Sequence, residues 1–330
     1  MKIFFNFISF TIFFIASSLF AQTFNGEPFT HTFSIVARDE QTGELGVAVQ
    51  SHWFSVGSIV SWAEAGVGAV ATQSMVNASF GPRGLDLLKT GKSSSDALND
   101  LIASDEGRDF RQVAIINTKG QVAAYTGEKC IADAGHITGK NYSVQANMML
   151  NDKVVPAMSK AFESSTGPLA ERMLAALKAA QAAGGDIRGQ QSAAILVVKG
   201  KATGNLWEDR KIDLRVEDHP EAVKEIERVL KVYRAYEHMN NGDLAIEKGD
   251  EQGALSEYGA AEAMFPDNIE MKYWHAVSLV NIGMLEKALP MFKQIFNKDK
   301  NWAELTKRIV ANGLLNTDPE TLEKIISAGK

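Results

Sequence analysis

Residues 32–38 read Thr-Phe-Ser-Ile-Val-Ala-Arg, and this stretch constrains the fold of the chain more than any other. Successive side chains of an extended strand point to opposite faces. Thr32, Ser34 and Val36 therefore share one face, and Phe33, Ile35 and Ala37 share the other. A second extended run covers 44–51. Between the two, Asp39-Glu40-Gln41-Thr42-Gly43 supplies turn residues, with Gly43 able to take a positive φ. The pair predicts an antiparallel hairpin. A third strand over 66–73 is built from glycine, alanine and valine, small enough for another layer to approach closely.

Beyond the hairpin the elements follow in blocks. Pro82 opens a helix over 83–89 that Gly91 stops, and Ser93 to Asp96 cap a second one running to Ala103. A hairpin over 113–117 and 121–126 turns at Lys119-Gly120. Residues 142–149 alternate as a strand. Helices over 152–164 and 168–183 follow, the latter ended by Gly184-Gly185, and 192–198 returns to strand. Strands, helices, strands, helices, strand is the order of an α+β domain with antiparallel sheets, not of alternating βαβ units. From about Leu214 the strand signals vanish. Gly249 and Gly283, Ala254 and Ala288, Leu255 and Leu289, and Tyr258 and Phe292 recur at a spacing of 34 residues. That is the period of the tetratricopeptide helix–turn–helix unit, with Gly242, Ala261 and Pro266 in fitting places. Two units are too few to stack alone. They are expected to lean on a helix over 220–240 or on a partner subunit, which makes a homo-oligomer the expectation.

The formal charge of −6, with no basic run, argues against nucleic-acid binding and against a cationic membrane-surface helix. Lys2 precedes an apolar run over 3–20. This predicts a signal peptide cut after Ala21, with a cut after Ser18 as the alternative and an uncleaved anchor as the competing reading. After cleavage the protein is expected to be secreted or periplasmic, with no stable membrane insertion and a polar lead-in over 22–29. A single cysteine, Cys130, allows no intramolecular disulfide and is either buried or reactive. No metal motif, P-loop, dinucleotide fingerprint or Gly-x-Ser-x-Gly elbow occurs, so no cofactor is implied.

Several polar residues sit where strands end, the places from which rigid scaffolds present groups to ligands. A freed N-terminal Thr32 could attack through its hydroxyl and take the proton on its own amine. The competing reading is a strand threonine with good β propensity. Ser51 and His52 are neighbours in a strand and so face opposite ways, but His52 could meet Thr32 or Ser34 across the hairpin. Trp53 and Phe54 read as core. Thr72 and Gln73 end the glycine-rich strand, ahead of Asn77 and Ser79. Ser143, Gln145 and Asn147 would all point one way, and the Asn147 amide could donate to an oxyanion. Gln191 opens the late strand beside Gln190 and Ser192. For these loop-proximal residues the competing reading is cap and turn chemistry.

The blocks 32–38, 42–49, 66–73, 142–148, 182–186 and 190–194, with Asp213-Leu214-Arg215-Val216 and Asp218-His219-Pro220, together resemble a bacterial family known as domain of unknown function 1028. That family is similar to the N-terminal-nucleophile hydrolases. The resemblance implies a four-layer αββα sandwich over 30–213, followed by a helical region over 214–330. It implies that Thr32 attacks an amide or related acyl bond of a small substrate and forms an acyl-enzyme that water resolves. His52 and Asn147 would assist, with Ser34, Ser51, Thr72, Gln73 and Gln191 around the substrate. The alternative is a non-catalytic binding or assembly protein on the same fold. In many relatives, loss of the initiator methionine exposes the corresponding threonine. Here Gln22 to His31 stand between the expected signal cut and Thr32, so an amine on Thr32 requires a second cut at His31–Thr32.

Overall fold

The computed structural model describes residues 29–329. The signal peptide and most of the lead-in read from the sequence lie outside them. The chain forms two compact units that divide between Glu227 and Arg228.

The first unit is α+β and contains two antiparallel sheets. The five-stranded one is centred on β5 (Gly68–Met75). Along one edge β5 pairs with β6 (Arg111–Asn117), which pairs in turn with β7 (Val122–Thr126). Its other edge is shared by β4 (Ser61–Glu64) at the start and β1 (Phe29–Thr30) at the end. The six-stranded sheet is built around the predicted hairpin of β2 (Thr32–Arg38) and β3 (Leu45–Ser51). Outside β2 lie β9 (Tyr142–Ala146) and β8 (Gly135–Gly139). Outside β3 lie β10 (Ser192–Val198) and β11 (Arg210–Val216).

The period-2 alternation decides what each face meets. Val36, Val47 and Val49 of the larger sheet share one buried cluster with Ala69, Ala71, Ala114 and Ile116 of the smaller. The two sheets therefore face each other, and the small side chains of β5 are what permit the approach. The other face of the smaller sheet, with Val70, Val113 and Ile115, packs on Leu85, Leu88, Leu98 and Leu101. These leucines belong to α1 (Phe80–Lys89) and α2 (Ser94–Ala103), the latter capped by Ser93 as predicted. The other face of the larger sheet meets α3 (Val154–Ser164) and α4 (Leu169–Ala182). Gly46 marks how close that contact is: a Cβ there would lie 2.7 Å from Met173 Cε and 2.8 Å from Leu196 O.

Some elements differ from the sequence reading. The helix α1 begins at Phe80, with Pro82 inside its first turn, where the missing N–H costs nothing. The glycine-rich strand is shifted to Gly68–Met75 because Gly66, with φ +72, serves the turn before it. Phe54 is not core: it is 62% exposed, since the chain leaves β3 into a turn after Ser51 and alternation no longer applies. β4, β8, β11 and the short α5 (Leu206–Asp209) join the predicted elements.

The second unit is all helical. It begins within α6 (Ala222–Glu247) and continues through α7 (Glu251–Met264), α8 (Ile269–Asn281), α9 (Leu285–Lys298), α10 (Asn301–Ala311) and α11 (Pro319–Ser327). The 34-residue spacing has a structural counterpart. Gly249 and Gly283 both turn the chain between helices with positive φ, of 73° and 78°. Ala254 and Ala288 are both buried, as are Tyr258 and Phe292. Gly242 lets α6 approach α7, for a Cβ there would come within 2.5 Å of the Tyr258 ring. Among the described residues no helix is long and apolar enough to cross a membrane.

Candidate functional site

The facing surfaces of the two sheets turn from apolar to polar toward one end. Along β2 the inward residues run Val36, Ser34, Thr32; along β3 they run Val47, Val49, Ser51. β5 passes from Ala69 and Ala71 to Gln73, and β6 from Ile116 and Ala114 to Gln112. Antiparallel register brings these polar ends together: Thr32 opposes Ser51, Ser34 opposes Gln145, and Gln73 opposes Gln112. All of these side chains are buried, so each must find partners inside the protein.

They find them in one another. Ser34 Oγ donates to Gln73 Oε1 at 2.6 Å and accepts from Gln145 Nε2 at 2.6 Å, joining the two sheets. Gln145 Oε1 accepts from Ser143 Oγ at 2.9 Å. Gln73 Nε2 donates to Gln112 Oε1 at 2.7 Å and to the Thr32 carbonyl at 3.1 Å. Asn147 Nδ2 donates to the same Gln112 oxygen at 2.9 Å, while Asn147 Oδ1 meets His31 Nδ1 at 2.7 Å. Gln112 spreads its own amide hydrogens over Thr126 Oγ1, Gly135 O and Ala146 O. A fully partnered buried network of this kind holds its members rigidly.

At the edge of the network the chain crosses from one sheet to the other. Phe29 and Thr30 pair with Met75 and Ser74 of the smaller sheet, while Thr32 begins the larger. His31 is the crossing point, and its carbonyl is held by two donors: Ser51 Oγ at 2.6 Å and Arg188 Nη2 at 2.9 Å. Thr32 Oγ1 donates to Thr30 O at 2.8 Å and reaches Ser51 Oγ at 3.1 Å. Arg188 is aimed by Asp186, a buried carboxylate that receives its Nε at 3.0 Å and its Nη2 at 2.7 Å. Burial pushes the His31 imidazole below its ordinary value of 6.5. Arg188 pushes the same way, against the hydrogen bond to Asn147 and the charge of Asp186.

Two backbone positions beside this cluster lie in the left-handed region without being glycine. Ser74 (φ 74°) follows Gln73, and Met148 (φ 59°) follows Asn147. Such conformations cost roughly 1–2 kcal/mol each and persist where surrounding structure enforces them. They turn the chain directly after the two amides that hold the Thr32 carbonyl and His31.

The structure thus brings together Thr32, Ser34, Ser51, Gln73 and Asn147. It places three other candidates elsewhere. Thr72 lies on the opposite face of β5, where its hydroxyl donates to Asn77 O. Gln191 turns outward to Asp218, although its backbone N–H reaches Ser51 O. His52 lies one residue past the Thr32–Ser51 pair. Its backbone contacts Asp186, and its Nδ1 is buried without a hydrogen-bond partner. Sequence reasoning passed over His31, Gln112, Asp186 and Arg188. Gln112 was findable, because alternation places it on the same face as Ala114 and Ile116. Arg188 was not, because it comes from the loop between α4 and β10. Cys130 is half-buried, its Sγ on Arg111 O, and burial raises its thiol above the ordinary value, which makes it a poor nucleophile. Among the described residues no group of three or more His, Cys, Asp or Glu side chains could hold a metal ion.

Fold and site together define a class: an α+β protein whose two antiparallel sheets enclose a threonine, serine and amide cluster at one end. The model of a family of unknown function, DUF1028, matches residues 32–226, and the chain belongs to that family. A crystal structure of protein SPO2555 from Silicibacter pomeroyi, described with the same family, is similar at 32% sequence identity and a TM-score of 0.55. The similarity covers 61% of this chain and 88% of that one. No curated protein matches.

Proposed function

We propose that this protein is an N-terminal-nucleophile hydrolase of the αββα type, and that it hydrolyses an amide or related acyl bond of a small substrate through Thr32. The observation that carries the reading is the held carbonyl of His31. Ser51 and Arg188 donate to the oxygen that would become negative if the Thr32 hydroxyl added to that carbonyl, which is the geometry of an oxyanion hole. Addition of Oγ1 and expulsion of the Thr32 nitrogen would form an ester between His31 and Thr32, the hydroxyl proton passing to the new amine. Water would cleave the ester and leave a His31 carboxylate and a free Thr32. The amine so formed would then serve as base for attack on substrate, whose carbonyl takes the place vacated by His31. The family match beginning at Thr32 supports this, since it leaves the lead-in outside the shared unit. A leader over 1–21 would deliver the protein to the periplasm or exterior. The helical region would act as a pair of tetratricopeptide-like repeats that mediates oligomer or partner contacts.

One observation favours a non-catalytic binding protein on the same fold. Thr30 to Thr32 are all buried, and β1 fastens the lead-in to the smaller sheet, so the site is filled by the chain's own segment. N-terminal sequencing and intact mass of protein secreted with its own leader separate the two. The hydrolase reading expects a chain starting at Thr32 that a hydroxyl-reactive electrophile labels, with both features lost in Thr32→Ala. A chain that starts at Gln22 and resists labelling overturns it.

A further inference from the structure

The second unit contains a cavity of about 300 Å³ that none of the chemistry above uses. Its walls are mostly apolar, with Ile246, Val277 and Leu314 around the Trp274 indole, and its charged groups are two carboxylates, Asp243 and Glu247. Asp243 and Glu247 stand one turn apart at the end of α6. The last turn of a helix is the negative end of its dipole, where cationic side chains are favourable and carboxylates are not. This helix has no basic residue in its last turn, so two carboxylates and the dipole add to one another. Like charges four residues apart repel as well. Lys248, next in the chain, does not line the cavity.

Two further details concern the polar side chains of its walls. Ser278, on the α8 wall, is 1% exposed, and its hydroxyl has no hydrogen-bond partner. A buried hydroxyl left unpaired is rare and asks for an explanation. Asp243 is already oriented, for its Oδ1 accepts the Tyr258 hydroxyl at 2.7 Å. That phenol stays neutral, because burial and the adjacent carboxylate both raise it. The Asn281 side chain has both ends engaged, donating to Leu314 O at 3.0 Å and accepting from Asn316 N at 2.8 Å, which holds the loop carrying Leu314 against the cavity.

We propose that this cavity binds a primary alkylammonium group: the charged nitrogen between Asp243, Glu247 and Ser278, and the alkyl stem against Trp274, Ile246 and Leu314. Carboxylates and a hydroxyl together offer acceptors for the three N–H bonds of an ammonium, and the indole adds cation–π attraction. An anion would be repelled by the Asp243 and Glu247 carboxylates. The volume, roughly ten times a water's share of liquid, takes a chain of several carbons.

Isothermal titration of the full secreted chain at neutral pH tests this with n-hexylamine as probe and n-hexanol and hexanoate as controls. Hexylamine is expected to bind at least about tenfold more tightly than hexanol, with hexanoate silent. Glu247→Gln changes an exposed side chain and leaves the fold intact; it is expected to weaken hexylamine about fivefold and hexanol not at all. Ser278→Ala is expected to weaken it by a smaller factor. A blocked lysine, N-acetyl-lysine methylamide, carries the same ammonium on a peptide unit. Tighter binding than hexylamine identifies a protein side chain as the source, weaker binding a free amine, and either supports ammonium recognition. Equal affinity for hexanol and hexylamine, no change in Glu247→Gln, or no binding of any amine at millimolar concentration overturns the proposal.

Discussion

The carbonyl of His31 is where single residues matter most. Ser51→Ala removes one of its two donors, together with the 3.1 Å contact from Thr32 Oγ1 to Ser51 Oγ, while leaving the strand register unchanged. If the carbonyl becomes an oxyanion during cleavage, loss of that donor slows appearance of the Thr32 terminus about 100-fold, measured by mass spectrometry on freshly made precursor. His31 also carries a pH signature. Its folded value is depressed by burial, so the stability it contributes is present above the ordinary value of 6.5 and is lost as pH falls through the folded one. In an uncleaved Thr32→Ala background, melting temperature is expected to drop below about pH 6.5, and a further His31→Gln exchange flattens that part of the profile. Thr32, Ser34, Ser51 and Asn147 were legible in the sequence because strand alternation puts them on one face of the larger sheet, and Gln73 because it falls at the polar end of the glycine-rich strand. His52 failed to join them for a reason of register: Ser51 is the residue opposite Thr32, and the next position along lies past the pair. Arg188 approaches His31 from a loop far along the chain, a contact that local pattern does not encode.

At the scale of elements, the polar cluster and the apolar core depend on the same strands. Gln112 accepts from Gln73 and Asn147 and itself donates to three oxygens, so Gln112→Leu strands several buried polar groups at once. A loss of roughly 3 kcal/mol or more is expected in urea unfolding, far above that of a surface exchange. Gly46→Ala probes the layer contact on the other face of β3. The added methyl would meet Met173 Cε and the Leu196 carbonyl, and the carbonyl belongs to a paired strand that cannot yield. A destabilisation of about 1–3 kcal/mol is expected, with the unfolding midpoint shifted and the slope unchanged. The core strands were readable from alternation and small residues. β11 was not, because an edge strand carries charge as protection: Arg210, Lys211, Asp213 and Arg215 interrupt Ile212, Leu214 and Val216. β8 has the same difficulty, with Gly135, His136 and Thr138 giving little β signal.

At the scale of the molecule, the change in composition near Leu214 and the division of the structure at Glu227 suggest different places to cut the chain. The composition marks where strand-like sequence gives way to helix-like sequence. The fold marks where buried contacts stop. Between the two positions lie the last pairs of β11 with β10, Val216 opposite Ala193 and Leu214 opposite Ile195. There too lie Ala222, Val223 and Ile226, three buried side chains at the start of α6 that belong to the first unit. The family match ends at residue 226, in agreement with the fold. Burying Val216, Val223 and Ile226 is worth about 1.5–3 kcal/mol each, a sum comparable with the whole stability of a domain, roughly 5–15 kcal/mol. A chain of residues 29–227 is therefore expected to unfold cooperatively in denaturant and to keep its β-rich circular dichroism. A chain of residues 29–213 loses those anchors and the half of β11 opposite Ala193, Ala194 and Ile195, which bares that part of the β10 edge, so it is expected to aggregate or to lack a cooperative transition. Comparable stability of the two would mean that the start of α6 belongs energetically to the helical unit.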